Sequence, residues 1–216
     1  MELKILYDNE AKKGFRSGWG FSCLVDGRVL FDTGADVDTL LFNMRAFNVD
    51  LEGIRKVVFS HEHGDHVGGF QILSMLGDVE VYVLRSFSNY FKRRLSSFKN
   101  VELREISNME KIDENIFTTG ELGRLIKEQS LIVNTDKGVV VITGCSHPGL
   151  DKILSVASKI GRIHCVVGGF HGFNKLEILR EVDLIIPCHC TMKKKEILKL
   201  YRDKSRKCSA GCTINI

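Results

Sequence analysis

The sequence is poor in proline and has no long apolar stretch. Only two of its 216 residues are proline, so no proline-rich linker divides the chain. No run reaches the ~18 consecutive apolar residues of a membrane span. The first residues predict a strand and lack the apolar core of a signal peptide. We therefore expect a cytoplasmic protein without membrane contact, organised as a single domain over residues 1–216.

Cysteine and histidine counts carry more information than the overall composition. The chain has seven cysteines, and an odd number without an export signal argues against a disulfide framework. It also has seven histidines, and none of them falls within the first 60 residues. Three histidines lie within six residues, at 61, 63 and 66. Such a concentration after a long stretch without histidine points to a local function.

The hydrophobic pattern predicts sheets with helices outside them. Apolar runs and Asp-Gly or Lys-Gly turns predict strands, and apolar residues at helical spacing predict helices. The expected strands are 1–8, 21–25, 28–32, 56–60, 79–84, 131–135, 139–143, 163–167 and 184–186. The expected helices are 36–47, 67–76, 85–99, 150–160, 176–182 and 192–203, with short strands and loops over 100–130. Hairpins followed by strand–helix alternation indicate a layered α/β fold.

A dense group of possible metal ligands follows the predicted strand 56–60. In extended backbone, residues two apart point to the same side, so His61 and His63 can face one point while the residue between them turns away. Gly64 permits a sharp turn, after which Asp65 and His66 begin the next helix. Imidazole and carboxylate donors together suit Zn, Fe, Mn or Co. The spacing therefore predicts a metal site.

This spacing, H-x-H-x-D-H, resembles the signature of the metallo-β-lactamase superfamily. The resemblance implies a four-layer αβ/βα sandwich with the metal site at one edge between two sheets. It also implies an aspartate after an early strand that supports the histidine loop, here Asp32. The expected cofactor is one or two divalent transition-metal ions, with Zn as the first choice and Fe or Mn as alternatives.

The resemblance further implies ligands at later strand ends. No histidine occurs between His66 and His147, so His147 is the expected third ligand of the first metal. His189 would complete a second metal site with Asp65 and His66.

Two further residues near these strand ends have open roles. Cys145 stands where many superfamily members have a bridging aspartate, and it either ligates metal as thiolate or only packs near the ligands. His171 follows a glycine-rich strand end and could be a general acid, a substrate contact or an extra ligand.

A narrower resemblance extends over nearly the whole chain. It rests on residues 7–9, 20–22, 31–34, 60–69, 144–149, 168–171 and 187–191. These segments are similar to the subgroup of 7,8-dihydropterin-6-ylmethyl-4-(β-D-ribofuranosyl)aminobenzene 5′-phosphate synthases. The expected function is that of a metal-dependent hydrolase that uses a metal-bound hydroxide, with Asp65 orienting the nucleophile. Its partner is a small molecule, with a phosphorylated or pterin-like compound as the hypothesis.

Phosphate binding has several candidates in the sequence. They are Lys193, Lys194, the arginines of 85–94 and the backbone N–H groups of 144–149.

Two other functions remain open on the sequence alone. A nuclease or phosphodiesterase would use the basic segment 190–216, which has eight basic and two acidic residues. A net charge of +4 is low for such a role, so nucleic acid is not the expected partner. A non-catalytic metal-binding sensor domain is the other alternative. Cys188, Cys190, Cys208 and Cys212 allow a separate zinc hypothesis at loose spacing. The sequence leaves the oligomeric state open.

Overall fold

The computed structural model describes residues 1–216 and divides the chain into two compact units. The first unit contains Met1–Ile106 together with Ser209–Ile216, and the second contains Ser107–Cys208. Each unit has one sheet. None of the helices has the length and apolar character needed to cross a membrane. The single-domain assignment stays a prediction.

The chain forms thirteen strands and five α-helices. The strands are β1 (Glu2–Tyr7), β2 (Ser22–Val25), β3 (Val29–Phe31), β4 (Lys56–Val58), β5 (Val79–Leu84), β6 (Val101–Ile106), β7 (Glu110–Asp113), β8 (Ile116–Thr118), β9 (Leu131–Thr135), β10 (Gly138–Thr143), β11 (Ile163–Gly169), β12 (Leu184–Cys188) and β13 (Thr213–Asn215). The helices are α1 (Val37–Ala46), α2 (Gly64–Val67), α3 (Asn89–Ser96), α4 (Leu150–Ala157) and α5 (Lys194–Leu200). Phe70–Met75 and Leu176–Glu181 form 3₁₀ helices.

The sheet of the first unit has the order β13-β1-β2-β3-β4-β5-β6. Strands β3 to β6 are parallel, and the remaining pairs are antiparallel. The β2–β3 turn has positive φ at Asp26 (47°) and at Gly27 (69°), as a two-residue type I′ hairpin requires. The parallel strands place the loops after β3 and β4, which carry the predicted ligands and their support, at one edge of the sheet.

The sheet of the second unit has the order β12-β11-β10-β9-β8-β7. Strands β10, β11 and β12 are parallel, and five of the six residues of β10 are buried, which is typical of a parallel strand covered on both faces. Helix α4 packs Leu150, Ile153, Leu154 and Ala157 into the core of this unit. The C-terminal ends of the three parallel strands therefore lead their loops to the same edge.

Most predicted elements form close to their expected positions, but three differ. The helix predicted over 67–76 is wrong: α2 ends at Val67, and a 3₁₀ helix follows two glycines. The segment 176–182 also forms a 3₁₀ helix rather than an α-helix. Strand β13 was not predicted, because its pairing of Thr213 with Lys4 joins the two ends of the chain.

Candidate metal centre

The histidine loop of the first unit begins at the buried end of β4. Phe59, Ser60 and His61 are fully buried after this strand. His63 has extended backbone and forms the N-cap of the four-residue helix α2, which contains Asp65 and His66. The loop therefore presents its polar groups within one strand–helix connection, as the spacing predicted.

Asp32 is a fully buried carboxylate that holds this loop in place. Its backbone is left-handed, with φ of 56°, a conformation that aspartate tolerates better than most residues. Oδ1 accepts the Ser60 N–H at 2.7 Å, and Oδ2 accepts the Ser60 hydroxyl at 2.7 Å. Oδ2 also lies 2.7 Å from Nδ1 of His66. Asp32 thus contacts the ring of one predicted ligand and the serine that precedes another.

These hydrogen bonds assign the lone pairs of two histidines. Because Asp32 accepts from Nδ1 of His66, the lone pair of the neutral ring lies on Nε2. The Ser60 hydroxyl donates its only proton to Asp32, so it accepts from Nδ1 of His61, 2.9 Å away. His61 therefore also has its lone pair on Nε2. One buried carboxylate orients both rings, one directly and one through a serine.

The possible ligand atoms of the loop lie close together in two pairs. Nε2 of His61 is 3.1 Å from Nδ1 of His63, and Nε2 of His66 is 3.6 Å from Oδ2 of Asp65. Glu62 turns away and accepts hydrogen bonds from the backbone N–H and the hydroxyl of Ser88, before α3. Imidazole and carboxylate donors of this kind, with two of the rings held by second hydrogen bonds, suit divalent transition metals.

Glu128 organises the loop after β10 in the second unit, and no sequence motif predicted this residue. This buried carboxylate accepts the backbone N–H groups of Cys145 (2.9 Å), Ser146 (2.8 Å) and His147 (2.8 Å). It also accepts the Thr143 hydroxyl at 3.2 Å. Its neighbours are a lysine and a glutamine in an irregular segment, so no periodic pattern marked it.

This arrangement corrects one expectation about phosphate binding. The N–H groups of residues 145, 146 and 147 were among the candidates for holding a substrate phosphate. All three donate to Glu128 instead. A carboxylate already occupies the concavity that these N–H groups form, so this loop does not bind phosphate through them.

His147 and His171 lie beside a cavity of about 310 Å³ within the second unit. The centroids of the two rings are 4.9 Å apart. Phe173, Asn174 and Lys175 also line the cavity. His171 is exposed and has a φ of 43°, and strained backbone of this kind at a cavity is common where a side chain must point in a set direction.

His189 and Cys190 follow β12 in the same unit. His189 is 5% exposed and has a φ of 44°. The thiols of Cys190 and Cys145 are 3.2 Å apart. The hydrogen bond with Cys145 lowers the pKa of Cys190 to about 5, and the charge of His189 and hydrogen bonds with His171 act in the same direction against the desolvation of burial.

His164 lies apart from this group at the start of β11. Its Nδ1 is 2.9 Å from Oδ2 of Asp183. The hydrogen bonds from His164 and then Arg162 lower the pKa of Asp183. His164 therefore has a surface carboxylate as its partner.

Comparisons with known proteins agree with the motif. The model of the metallo-beta-lactamase superfamily matches residues 22–158. The uncharacterized protein MJ0448 of Methanocaldococcus jannaschii is 30% identical, and the match covers 88% of this chain and 90% of that protein. The 7,8-dihydropterin-6-methyl-4-(beta-D-ribofuranosyl)-aminobenzene-5'-phosphate synthase of the same organism is 28% identical over 67% of this chain and 65% of that protein.

A solved structure extends the similarity to the full chain. Tm1679, described as a metal-dependent hydrolase of the beta-lactamase superfamily, has a TM-score of 0.84 at 31% identity and covers 100% of this chain and 99% of its own. The predicted α/β fold class of this superfamily is confirmed. The fold implies divalent metal binding. The chain supplies candidate ligands in the first unit (His61, Asp65, His66) and in the second (Cys145, His147, His189).

Proposed function

The chain belongs to the metallo-β-lactamase superfamily, and on this premise we propose that it is a metal-dependent hydrolase of a small molecule. Superfamily membership and the candidate ligands suggest a metal-dependent hydrolase in general terms. The observation that carries the proposal is the Asp32 network. Asp32 orients His66 directly, at 2.7 Å, and orients His61 through the Ser60 hydroxyl, which lies 2.7 Å from Asp32 and 2.9 Å from His61. A solvated polar loop has no need of a buried carboxylate to fix ring orientation.

In this proposal the loop after β4 would hold one or two metal ions. His61 through Nε2 and His63 through Nδ1 would bind the first ion, and His66 through Nε2 and the Asp65 carboxylate would bind the second. His147 and His189 of the second unit remain the predicted further ligands. A bound divalent metal would supply Lewis acidity and lower the pKa of a coordinated water from 15.7 to ~7. Zinc is the first choice for this donor set, with iron or manganese as alternatives.

The chain's own groups supply the remaining steps. The Asp65 carboxylate, 20% exposed on its side chain, orients the attacking water and accepts its proton. The imidazole of His171, beside the cavity, donates a proton to the leaving group. The Asp32–Ser60 pair keeps His61 and His66 from rotating as charge develops.

A phosphorylated or pterin-like substrate is the finer part of the proposal. The name of the M. jannaschii synthase supports it, since that relative's product carries both a pterin and a phosphate. The cavity beside His147 and His171 offers the Lys175 cation, whose pKa is raised by its hydrogen bond with Asp151, and the ring of Phe173. The lysine could bind the phosphate of such a substrate, and the aromatic ring could stack on its pterin.

Turnover on a substrate panel tests the proposal. The purified chain is assayed with phosphomonoesters, phosphodiesters, lactones, thioesters and single-stranded RNA, before and after chelation and with Zn, Fe or Mn restored. We expect hydrolysis of a small molecule that chelation removes and metal restores. His171→Ala should reduce kcat by about 10²–10⁴-fold while the metal content is unchanged.

The other candidate functions give different results in the same assay. Cleavage of RNA alone, with binding that weakens steeply as salt rises, would replace the proposal with a nuclease. Full metal content without turnover on any member of the panel would replace it with a sensor domain. Turnover that survives complete removal of metal would contradict the proposal.

A further inference from the structure

Two cysteines from different strands meet across the strand between them. Cys145 follows β10 and Cys190 lies two residues beyond β12, and β11 runs between these strands. Neighbouring strands are ~4.8 Å apart, so β10 and β12 normally lie about twice that distance apart, with the backbone of β11 between them. Here the two thiols are 3.2 Å apart.

Gly169 at the end of β11 makes this approach possible. A Cβ on this residue would lie 2.7 Å from Sγ of Cys190 and 3.3 Å from Cα of Cys145. It would also lie 2.4 Å from the Gly144 carbonyl oxygen. Any other residue would therefore occupy the space that the thiols use. The gap at the end of the middle strand gives the two sulfurs a place to meet.

Hydrogen bonds hold the loops on both sides of this gap. Glu128 accepts the N–H of Cys145 at 2.9 Å, and the Ser146 hydroxyl donates to the Gly169 carbonyl at 2.8 Å. On the other side, the Thr191 hydroxyl donates to the Cys188 carbonyl at 2.6 Å and accepts the Phe170 N–H at 3.0 Å. The sulfurs are thus held close by the backbone on both sides, which raises their effective concentration for reaction with each other.

We propose that Cys145 and Cys190 form an oxidation site at which a peroxide converts the two thiols into a reversible intramolecular disulfide. Cys145 is buried, and Cys190 is partly exposed. The oxidant therefore reaches Cys190 first, and Cys145 is positioned to resolve the product. The oxidation requires no turnover, although Cys145 is itself a candidate metal ligand and Cys190 directly follows His189.

The chemistry balances in two steps. The Cys190 thiol attacks one oxygen of the peroxide and gives up its proton, the O–O bond breaks, and sulfenic acid and water form. The Cys145 sulfur then attacks the Cys190 sulfur, the S–O bond breaks, and a second water leaves. The two cysteines lose two electrons and two protons, and the peroxide is reduced. A thiol reductant reverses the reaction through a mixed disulfide.

Other cysteines provide matched controls. Cys208 is buried like Cys145, and Cys212 is partly exposed like Cys190. Cys165 is buried in β11, and burial raises the pKa of its thiol to about 12, which makes it unreactive. If oxidation followed accessibility alone, Cys212 would react as readily as Cys190.

Mass spectrometry of the full chain tests the inference. The protein, both as isolated and after chelation, is treated with stoichiometric hydrogen peroxide, and the remaining thiols are then blocked and the chain is digested. We expect a loss of two hydrogens from the intact mass and a peptide pair joined through Cys145 and Cys190. Dithiothreitol should restore the original mass.

The variants separate this pair from general oxidation. Cys145→Ser and Cys190→Ser should each abolish the cross-link, and Cys190→Ser should leave Cys145 reduced. Cys208→Ser and Cys212→Ser should retain the cross-link in full. A disulfide between another pair, or oxidation of Cys190 to sulfinic acid without a cross-link in both preparations, would overturn the inference. Circular dichroism confirms that each variant is folded.

Discussion

Asp32 is the residue on which the geometry of the histidine loop depends. An asparagine would fit the same space and tolerate the same positive φ, but it would replace a two-oxygen acceptor with one oxygen and one donor. The Ser60 and His66 donors would then lose part of their acceptor. We expect Asp32→Asn to weaken metal binding by about 10–100-fold, as measured by titration with a competing chelator.

Asp26→Asn is the control for this substitution. Asp26 also has a positive φ, of 47°, but it lies in an exposed hairpin turn, where its carboxylate accepts the Glu2 N–H. The Asp26→Asn variant should bind metal with the same affinity as the unchanged chain. Equal affinity in both variants would contradict the role assigned to Asp32.

In the second unit, Glu128 is the buried carboxylate that organises a loop, as Asp32 does in the first. In Glu128→Gln an amide N–H₂ would face one of the four donors that the carboxylate now accepts. Leaving a buried donor unsatisfied costs about 1–3 kcal/mol, and we expect the free energy of unfolding in urea to fall by this amount. The exposed Glu114→Gln should change it little. A Glu128 variant as stable as Glu114→Gln would contradict this account.

Comparison of Asp32 with Glu128 shows what sequence could predict at single residues. Asp32 stands in a fixed position after a recognisable strand, so the family resemblance located it. Glu128 lies in an irregular loop, and its partners are backbone N–H groups. Almost every residue type has such a group, so the sequence does not reveal these contacts. The Cys145–Cys190 contact was likewise hidden, because it depends on strand order and on the missing side chain of Gly169.

At the scale of elements, helix α1 begins within one residue of its predicted start, and Asp36 is its N-cap. Asp36 accepts the Thr39 N–H at 2.7 Å and the Tyr7 hydroxyl at 2.6 Å. Asp36→Ala removes both hydrogen bonds, and we expect a loss of about 0.5–2 kcal/mol of stability from the cap alone. Denaturant unfolding measures this loss.

The same variant should change the titration of Tyr7. Burial first, and the hydrogen bond and charge of Asp36 second, raise the pKa of Tyr7 well above its ordinary value. Without Asp36 the pKa of Tyr7 should fall toward that value, which ultraviolet titration detects. The control Asp38→Ala, in the exposed first turn of α1, should leave the pKa of Tyr7 unchanged. An unchanged Tyr7 pKa in Asp36→Ala would contradict the assigned contact.

Local signals explain which elements were predictable. The Asp26-Gly27 turn, the start of α1 and the apolar runs of β10 and β11 are set by neighbours in sequence, and they form as expected. The helix predicted after α2 was wrong. The apolar residues there have helical spacing, but the two glycines that precede them stop the α-helix, and a 3₁₀ helix follows. Strand β13 needs a partner from the other end of the chain, so its short sequence alone gave no signal.

At the scale of the whole molecule, acid should destabilise the chain through surface carboxylates in both units. The hydrogen bond from Lys56 lowers the pKa of Glu80 despite desolvation, and Lys175 does the same for Asp151. Carboxylates with lowered folded-state pKa values stabilise the fold above their unfolded pKa, and this contribution is lost as pH falls through the folded value. Stability should therefore decrease from about pH 5 downward.

Glu80→Gln tests this pH dependence. The difference in stability between about pH 5 and pH 2 should be smaller in this variant than in the unchanged chain. Glu80 is not among the predicted ligands, so metal loss at low pH affects both proteins alike. Glu102→Gln, an exposed carboxylate on the neighbouring strand, is the control. An equal pH dependence in all three proteins would refute this explanation of acid sensitivity.

The central claim is that the histidine loop binds metal, and elemental analysis tests it most directly. The purified chain, His61→Ala and the control His164→Ala are analysed for Zn, Fe and Mn per chain under identical conditions. We predict one or two metal ions per chain in the unchanged protein and in His164→Ala, and a loss of metal together with turnover in His61→Ala. Undiminished metal content and full turnover in His61→Ala would contradict the account.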